Sequence, residues 1–301
     1  MVADQSNEKF LEWVASSIRD SLVLEPFKLD RKIFLCGASP QTRGAIRGKV
    51  AKLLKERPKH FWYDQYDIYY PETIFDGLMA GPNRFDVLTL ENMLAEAVDA
   101  VILILESPGT MTELGAFANH PQLRKRLVVI QDQKFRKTRS FIRQGPIRLL
   151  QDRHEGQVVY LDFTSIEKDI EEIHRAVRRV IKANPVKFTF GNVLHAHHFV
   201  VPCLFVLEQA SRQEIAALIQ SVAKIEQAQA TIVASAAIAI LLRDRKIVIE
   251  GTKVRLSDQG VKDFIVKGRW ERSRPRYSRS AIDKLRIGVL TRQRKRLRSW
   301  A

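Results

Sequence analysis

The chain is 301 residues long, 45% apolar and 28% charged, with a formal net charge of +16. That length and balance give an ordinary globular protein of two domains with a sizeable core. No apolar signal-peptide core opens the chain, and its longest apolar run, Ala230 to Leu242, is too short to span a bilayer, so a cytoplasmic protein without a membrane partner is expected.

Phe10 to Leu22 alternates apolar and polar residues at helical spacing and reads as a first amphipathic helix. Ile33 to Ser39 is a short buried strand ending in the small-residue turn Gly37-Ala38-Ser39, and a basic helix over Thr42 to Lys55 follows. Tyr66 to Tyr70 makes a second strand, closed by Pro71-Glu72. Leu90 to Val98 reads as a helix, Ala100 to Leu105 as the third strand, and a Pro-Gly turn then opens a helix carrying Glu113. Leu127 to Gln131 and Val158 to Phe163 are the last strands. Strands alternating with helices imply an α/β fold, a doubly wound parallel sheet with helices on both faces.

Beyond it, Ser165 to Ala183 is a charged amphipathic helix stopped by Asn184-Pro185. Asn192 to Ile225 is largely helical and Thr231 to Arg243 helical, with strands at Lys246 to Glu250 and Lys253 to Leu256 around the turn Gly251-Thr252. A further helix runs from Ser257 through Ile265, and Ser280 to Arg298 is partly helical. Helix, hairpin, helix is the shape of a winged-helix module. The expected division is a catalytic sheet domain over 1–165, a helical connector over 166–210, a winged-helix domain over 211–270 and a basic C-terminal segment over 271–301. The candidate groove-reading helix, Ala230 to Leu242, is almost wholly Ala, Ile, Val and Leu. Base readout needs polar side chains, so this helix reads as a core or protein-interface element.

Charge is concentrated at the C-terminus, where residues 267–301 hold thirteen Lys and Arg against Glu271 and Asp283. Arg272, Arg274, Arg276, Arg292, Arg294, Lys295, Arg296 and Arg298 are the candidate nucleic-acid contacts there. A second basic cluster covers Arg124 to Arg126 and Lys134 to Arg148. Cys36 and Cys203 lie in apolar runs and read as buried thiols. His195, His197 and His198 lack an acid at ligand spacing, so no metal site is expected. No phosphate-loop or dinucleotide glycine signature occurs.

The chemistry concentrates at the carboxyl edge of the sheet, where open α/β sheets hold ligands. The first strand offers Gly37 and Ser39, the second Tyr70 and Glu72, and the third Glu106, Ser107, Gly109, Thr110 and Glu113. Small residues let a backbone approach a ligand, and several acids around one pocket suit sugar hydroxyls and a cationic transition state. A carboxylate at Glu113 can attack an electron-poor sugar carbon. Thr110-x-x-Glu113 also has the spacing of a capping box, and the two readings are compatible.

Glu106-Ser-Pro-Gly-Thr-Met-Thr-Glu113-Leu-Gly-Ala-Phe resembles the Gly-Thr-x-x-Glu turn of nucleoside deoxyribosyltransferases. A wider likeness takes in Tyr69-Tyr70-Pro71-Glu72, Leu90 to Asp99, Ile130-Gln131-Asp132, Arg139-Ser140-Phe141 and Gly145 to Leu150. Together they resemble retron effector proteins of the deoxyribosyltransferase-like type, most strongly over residues 66–150.

That resemblance implies a toxin of a bacterial anti-phage system, held by a retron reverse transcriptase and its multicopy single-stranded DNA with attached RNA. It also implies a homo-oligomer or filament, and cleavage of an N-glycosidic bond with NAD as substrate and no cofactor. Glu113 matches the nucleophile, and Glu106 falls near an acid that contacts the base or assists its departure. Glu72 is either a ribose ligand or an exposed turn acid, and Asn92 either a pocket or a structural residue. A phosphoribohydrolase is a second enzyme reading, although Ser107-Pro108-Gly109-Thr110 lacks that family's further glycines. A nucleotide-sensing, nucleic-acid-binding regulator is the non-enzymatic one.

Overall fold

A computed structural model describes residues 2–23, 30–39, 41–42, 44–56, 66–70, 93, 97–266 and 276–298. The helices are α1 (Val2–Asp20), α2 (Arg47–Lys55), α3 (Pro108–Asn119), α4 (Pro121–Arg126), α5 (Arg148–Arg153), α6 (Ile170–Ala183), α7 (His197–Leu207), α8 (Arg212–Ala223), α9 (Gln227–Arg243), α10 (Asp258–Val266) and α11 (Arg279–Arg298). The strands are β1 (Leu22–Val23), β2 (Arg31–Cys36), β3 (Tyr66–Tyr69), β4 (Ala100–Ile104), β5 (Leu127–Asp132), β6 (Gln157–Leu161), β7 (Gln209–Ser211), β8 (Ile247–Glu250), β9 (Lys253–Leu256) and β10 (Arg276–Tyr277). They fall into two compact units, one drawn from residues 30–187 and the other from residues 2–23 together with those from 188 onward.

The first unit is built on an all-parallel sheet in the order β3-β2-β4-β5-β6. Its central strands are continuous apolar runs because both faces are covered. All of β4 and β5 is buried. Side chains alternate across the sheet, so Ile33, Leu35, Ile102, Ile104, Val128 and Ile130 share one face. They pack there with Val50 and Leu54 of α2 and Ile173, Val177 and Val180 of α6. Phe34, Val101, Leu103 and Val129 are buried on the other face. Helix α3, with Leu114 and Phe117 buried, touches β4 and β5 and contributes nothing to the α2–α6 core, so it covers that second face.

The sheet's helix boundaries differ from expectation for local reasons. The basic helix starts at Arg47 and not at Thr42, because Gly44 adopts φ +82°, outside the helical region. Gly156, before β6, also has a positive φ, and a Cβ there would lie 2.7 Å from the carbonyl oxygens of Arg124 and Leu127, so the turn requires glycine. The helix expected at Leu90 to Val98 falls largely outside the described residues.

The second unit joins both ends of the chain. Helix α1 groups with the C-terminal half, not with the sheet. Its apolar stripe Val14, Ala15 and Ile18 is fully buried, and it packs along α7 and α8. Strand β1 then pairs antiparallel with β10, Leu22 opposite Tyr277. A three-stranded antiparallel sheet runs β7-β9-β8, and α8 and α9 bend by 115° across residues 224–226. Helix α9 is core, with Ala230, Val233, Ala236, Ala237 and Leu241 all buried. Among the described residues no single helix is long and apolar enough to cross a membrane.

Candidate active site

The strand order reverses between β2 and β4, and the crevice at their carboxyl ends is where a doubly wound sheet holds its ligand. Glu106, two residues beyond β4, bridges that crevice. The backbone N–H of Ala38 donates to its Oε1 at 2.9 Å, and the N–H of Ile46 donates to Oε2 at 2.8 Å. The turn after β2 and the start of α2 are thereby fastened to the end of β4. Both carboxylate oxygens act as acceptors.

Gly37 is held close to the same carboxylate. A Cβ there would lie 2.9 Å from Glu106 Oε1 and 2.9 Å from Arg47 Cβ. Arg47 is buried at the start of α2, and its guanidinium carbon lies 5.2 Å from the centre of the Tyr70 ring. Gly37, Tyr70 and Glu106 thus share one cluster with Arg47, which the sequence reading counted only as part of a basic helix. Nothing in the sequence singles it out, because Arg43, Lys49 and Lys52 surround it in the same basic stretch. Ser39 is exposed, its hydroxyl bonded to Gln41. Glu72 and Asn92 lie outside the described residues.

Helix α3 is capped by Ser107. The Thr110 N–H donates to Ser107 Oγ at 3.3 Å, the Ser107 N–H to Thr110 Oγ1 at 3.2 Å, and the Thr110 hydroxyl to Ser107 O at 2.8 Å. This corrects the expected Thr110–Glu113 box: the cap sits one step earlier, and Thr110 is buried within it. Glu113 lies in the second turn, away from the cap, half-buried and with Oε2 shielded from solvent. Gly109 and Ala116 are exposed and lie at helical spacing on the same face as Glu113.

The other sequence candidates are spread more widely. Arg272 and Arg274 lie outside the described residues, and Arg276, Arg294, Lys295, Arg296 and Arg298 are described by backbone alone. Arg292 is exposed, with its guanidinium carbon 5.3 Å from the centre of the Phe10 ring. His195 and His197 are buried, the latter's ring centre 3.9 Å from that of His198. Cys36 and Cys203 are buried, and neither takes part in a disulfide.

Residues 44–248 match the family model of the STM3845 retron effector protein. Over 277 residues the chain is 31% identical to an Escherichia coli protein of retron Ec86 named for ribosyltransferase and DNA-binding roles, covering 88% of this chain and 85% of that one. A similarly named Escherichia coli protein of retron Ec73 is 29% identical over 164 residues, 54% of this chain and 51% of that protein.

Proposed function

Because the chain belongs to the STM3845 retron effector family, we propose that it is the toxic effector of a retron anti-phage system and cleaves the N-glycosidic bond of a nucleotide, NAD foremost. The position of Glu113 carries this reading. It is a half-buried carboxylate on the helix leaving the central strand, relieved of capping by Ser107 and Thr110, with small residues beside it. The names of the two relatives, ribosyltransferase and DNA-binding, support a glycosyl reaction and a nucleic-acid partner.

In the reaction a Glu113 oxygen attacks C1′ of the ribose. The C1′–N bond breaks, and its electron pair passes to the pyridinium nitrogen, so nicotinamide leaves neutral without needing a proton. Water then cleaves the glycosyl–Glu113 bond, giving ADP-ribose, a proton and the free carboxylate. Glu106, already an acceptor for two backbone N–H groups, positions the Gly37 turn and Arg47. The need for no general acid favours a cationic leaving group over the neutral base of an ordinary nucleoside. Arg47, Gly37 and Tyr70 border the nucleotide, Arg47 offering a charge for its phosphates.

The arrangement β7-α8-α9-β8-β9 supports reading residues 211–270 as a winged helix with α9 in its core. The basic C-terminal segment serves the reverse transcriptase–multicopy DNA complex that restrains the toxin, and the complex assembles as an oligomer or filament. Chromatography of NAD incubated with the protein tests the catalytic half. Nicotinamide release is expected, falling by about a thousandfold or more in Glu113→Gln. Release undiminished in that variant would overturn the assignment.

A further inference from the structure

Between β5 and α5 the chain carries a feature that the glycosidic chemistry leaves unused. Residues 133–148 hold six lysines and arginines and no acid. The segment leaves β5 through a 3-10 turn at Gln133–Phe135, capped by Asp132, and re-enters the fold through a π-helical turn at Arg143–Ile147. Residues 133–139 are all exposed. Lys134 pairs with Asp132 and Arg148 with Asp152, but Lys137, Arg139 and Arg143 have no carboxylate partner among the described residues.

Two large aromatic rings stand among these charges. Phe135 is 44% exposed and Phe141 86% exposed. The Phe141 ring lies against Gly145, its Cζ 3.6 Å from where a Cβ on that glycine would be. One face of the ring is thus seated on backbone and the other is open. Lys134 Nζ stands 5.0 Å from the centre of the Phe135 ring, and Arg136 lies over Tyr160 at 5.4 Å. Lys134, Arg136, Lys137 and Tyr160 also line a cleft of about 460 Å³ at the carboxyl ends of β5 and β6, together with Asp132, Asp162 and Thr164. That cleft lies on the same sheet edge as the β2–β4 crevice, at the neighbouring strands, and is large enough for one nucleotide.

Single exposed aromatics are ordinary, but two rings and three cations without a carboxylate partner among the described residues, on a segment with no acid of its own, match how proteins hold unpaired strands. Rings stack on base faces and cations follow the phosphates, whereas a duplex hides its base faces. We propose that residues 133–148 form a docking surface for single-stranded nucleic acid, with Lys137, Arg139 and Arg143 on phosphates and bases stacked on Phe141 and Phe135. The surface uses neither Glu113 nor the C-terminal basic segment, although its π turn packs against α3, the helix that carries Glu113.

Fluorescence anisotropy with the full chain tests it, using labelled twenty-nucleotide dT, twenty-nucleotide rU and a duplex of equal length. The Phe135→Ala, Phe141→Ala double variant is expected to lose about tenfold or more in dT affinity and to leave duplex binding unchanged. Phe141→Trp should retain binding. Lys137→Gln, Arg139→Gln, Arg143→Gln together should lower the salt slope for dT by about two, since each phosphate contact adds about 0.7. Comparable losses with rU would extend the surface to RNA, and losses with dT alone would assign it to DNA. Glu113→Gln should bind as the parent does, so failure of the glycosidase reading leaves this result intact. Unchanged dT affinity in the ring variant, with its circular dichroism also unchanged, would overturn the proposal, as would an equal loss on duplex.

Discussion

Glu106 and Glu113 stand seven residues apart on the same strand-to-helix passage, and Glu106 fastens two further elements of the scaffold to it. Ala38 and Ile46 are buried, and their N–H groups end on Glu106. Glu106→Ala would strand both, at about 1–3 kcal/mol for each buried donor left unmade, and urea denaturation should show a loss of that order. Gly37→Ala drives a Cβ into Arg47 and Glu106 and is expected to cost about 1–3 kcal/mol as overpacking. Glu113 takes no part in the cap, and Glu113→Gln is expected to remove activity. The capping register could not be read from the residues alone. Ser107 and Thr110 have the same separation as Thr110 and Glu113, and only the point where β4 ends decides between the pairs.

At the scale of elements, apolar continuity made β2, β4 and β5 legible, because strands covered on both faces need it. Strand order was not legible, since any apolar run suits any interior place in a parallel sheet. The short helices α4 and α5 escaped notice. Each is six residues long, and Pro146, which reads as a helix breaker, sits inside the π turn that feeds α5. Helix α8 carries a clearer device. Ser211 and Glu214 cap it reciprocally, and Lys253 of β9 reaches the same carboxylate at 2.8 Å. Burial pushes the Glu214 carboxyl up, but the bonds from Lys253 and Ser211 and the lysine's charge outweigh it and hold the group below its ordinary 4.5. A depressed folded-state value means stability present above the ordinary value and lost as pH falls through the folded one. Glu214→Gln is expected to remove about 0.5–2 kcal/mol at neutral pH and to flatten the acid limb of a thermal-melt series below about pH 4.5. An unchanged acid limb would remove Glu214 from that account.

At the scale of the whole molecule, sequence order misled in one place. The N-terminal helix precedes the sheet in the chain, but its stripe of Val14, Ala15 and Ile18 is buried within the unit formed with residues from 188 onward. Amphipathic spacing shows that a helix needs a partner without saying which one. Deleting residues 1–20 is therefore expected to raise hydrogen exchange in α8 and leave the strands of the parallel sheet protected. The basic terminus is likewise more than a loose arm. Ile282 and Val289 of α11 are fully buried and Leu285 nearly so, so truncation would strip core along with charge. Replacing Arg294, Lys295, Arg296 and Arg298 with Gln isolates the charge, and should lower the salt slope for single-stranded DNA by about three.

A covalent trap reports most directly on the Glu113 assignment. The protein would be incubated with an NAD analogue bearing 2′-fluorine in the arabino configuration, which slows hydrolysis of a glycosyl–enzyme bond, then digested and read by tandem mass spectrometry. The fluorinated ADP-pentosyl group is expected on the peptide spanning α3, attached at Glu113, and absent in Glu113→Gln. Attachment at any other carboxylate, or nicotinamide release from the analogue with Glu113 left unmodified, would contradict the account.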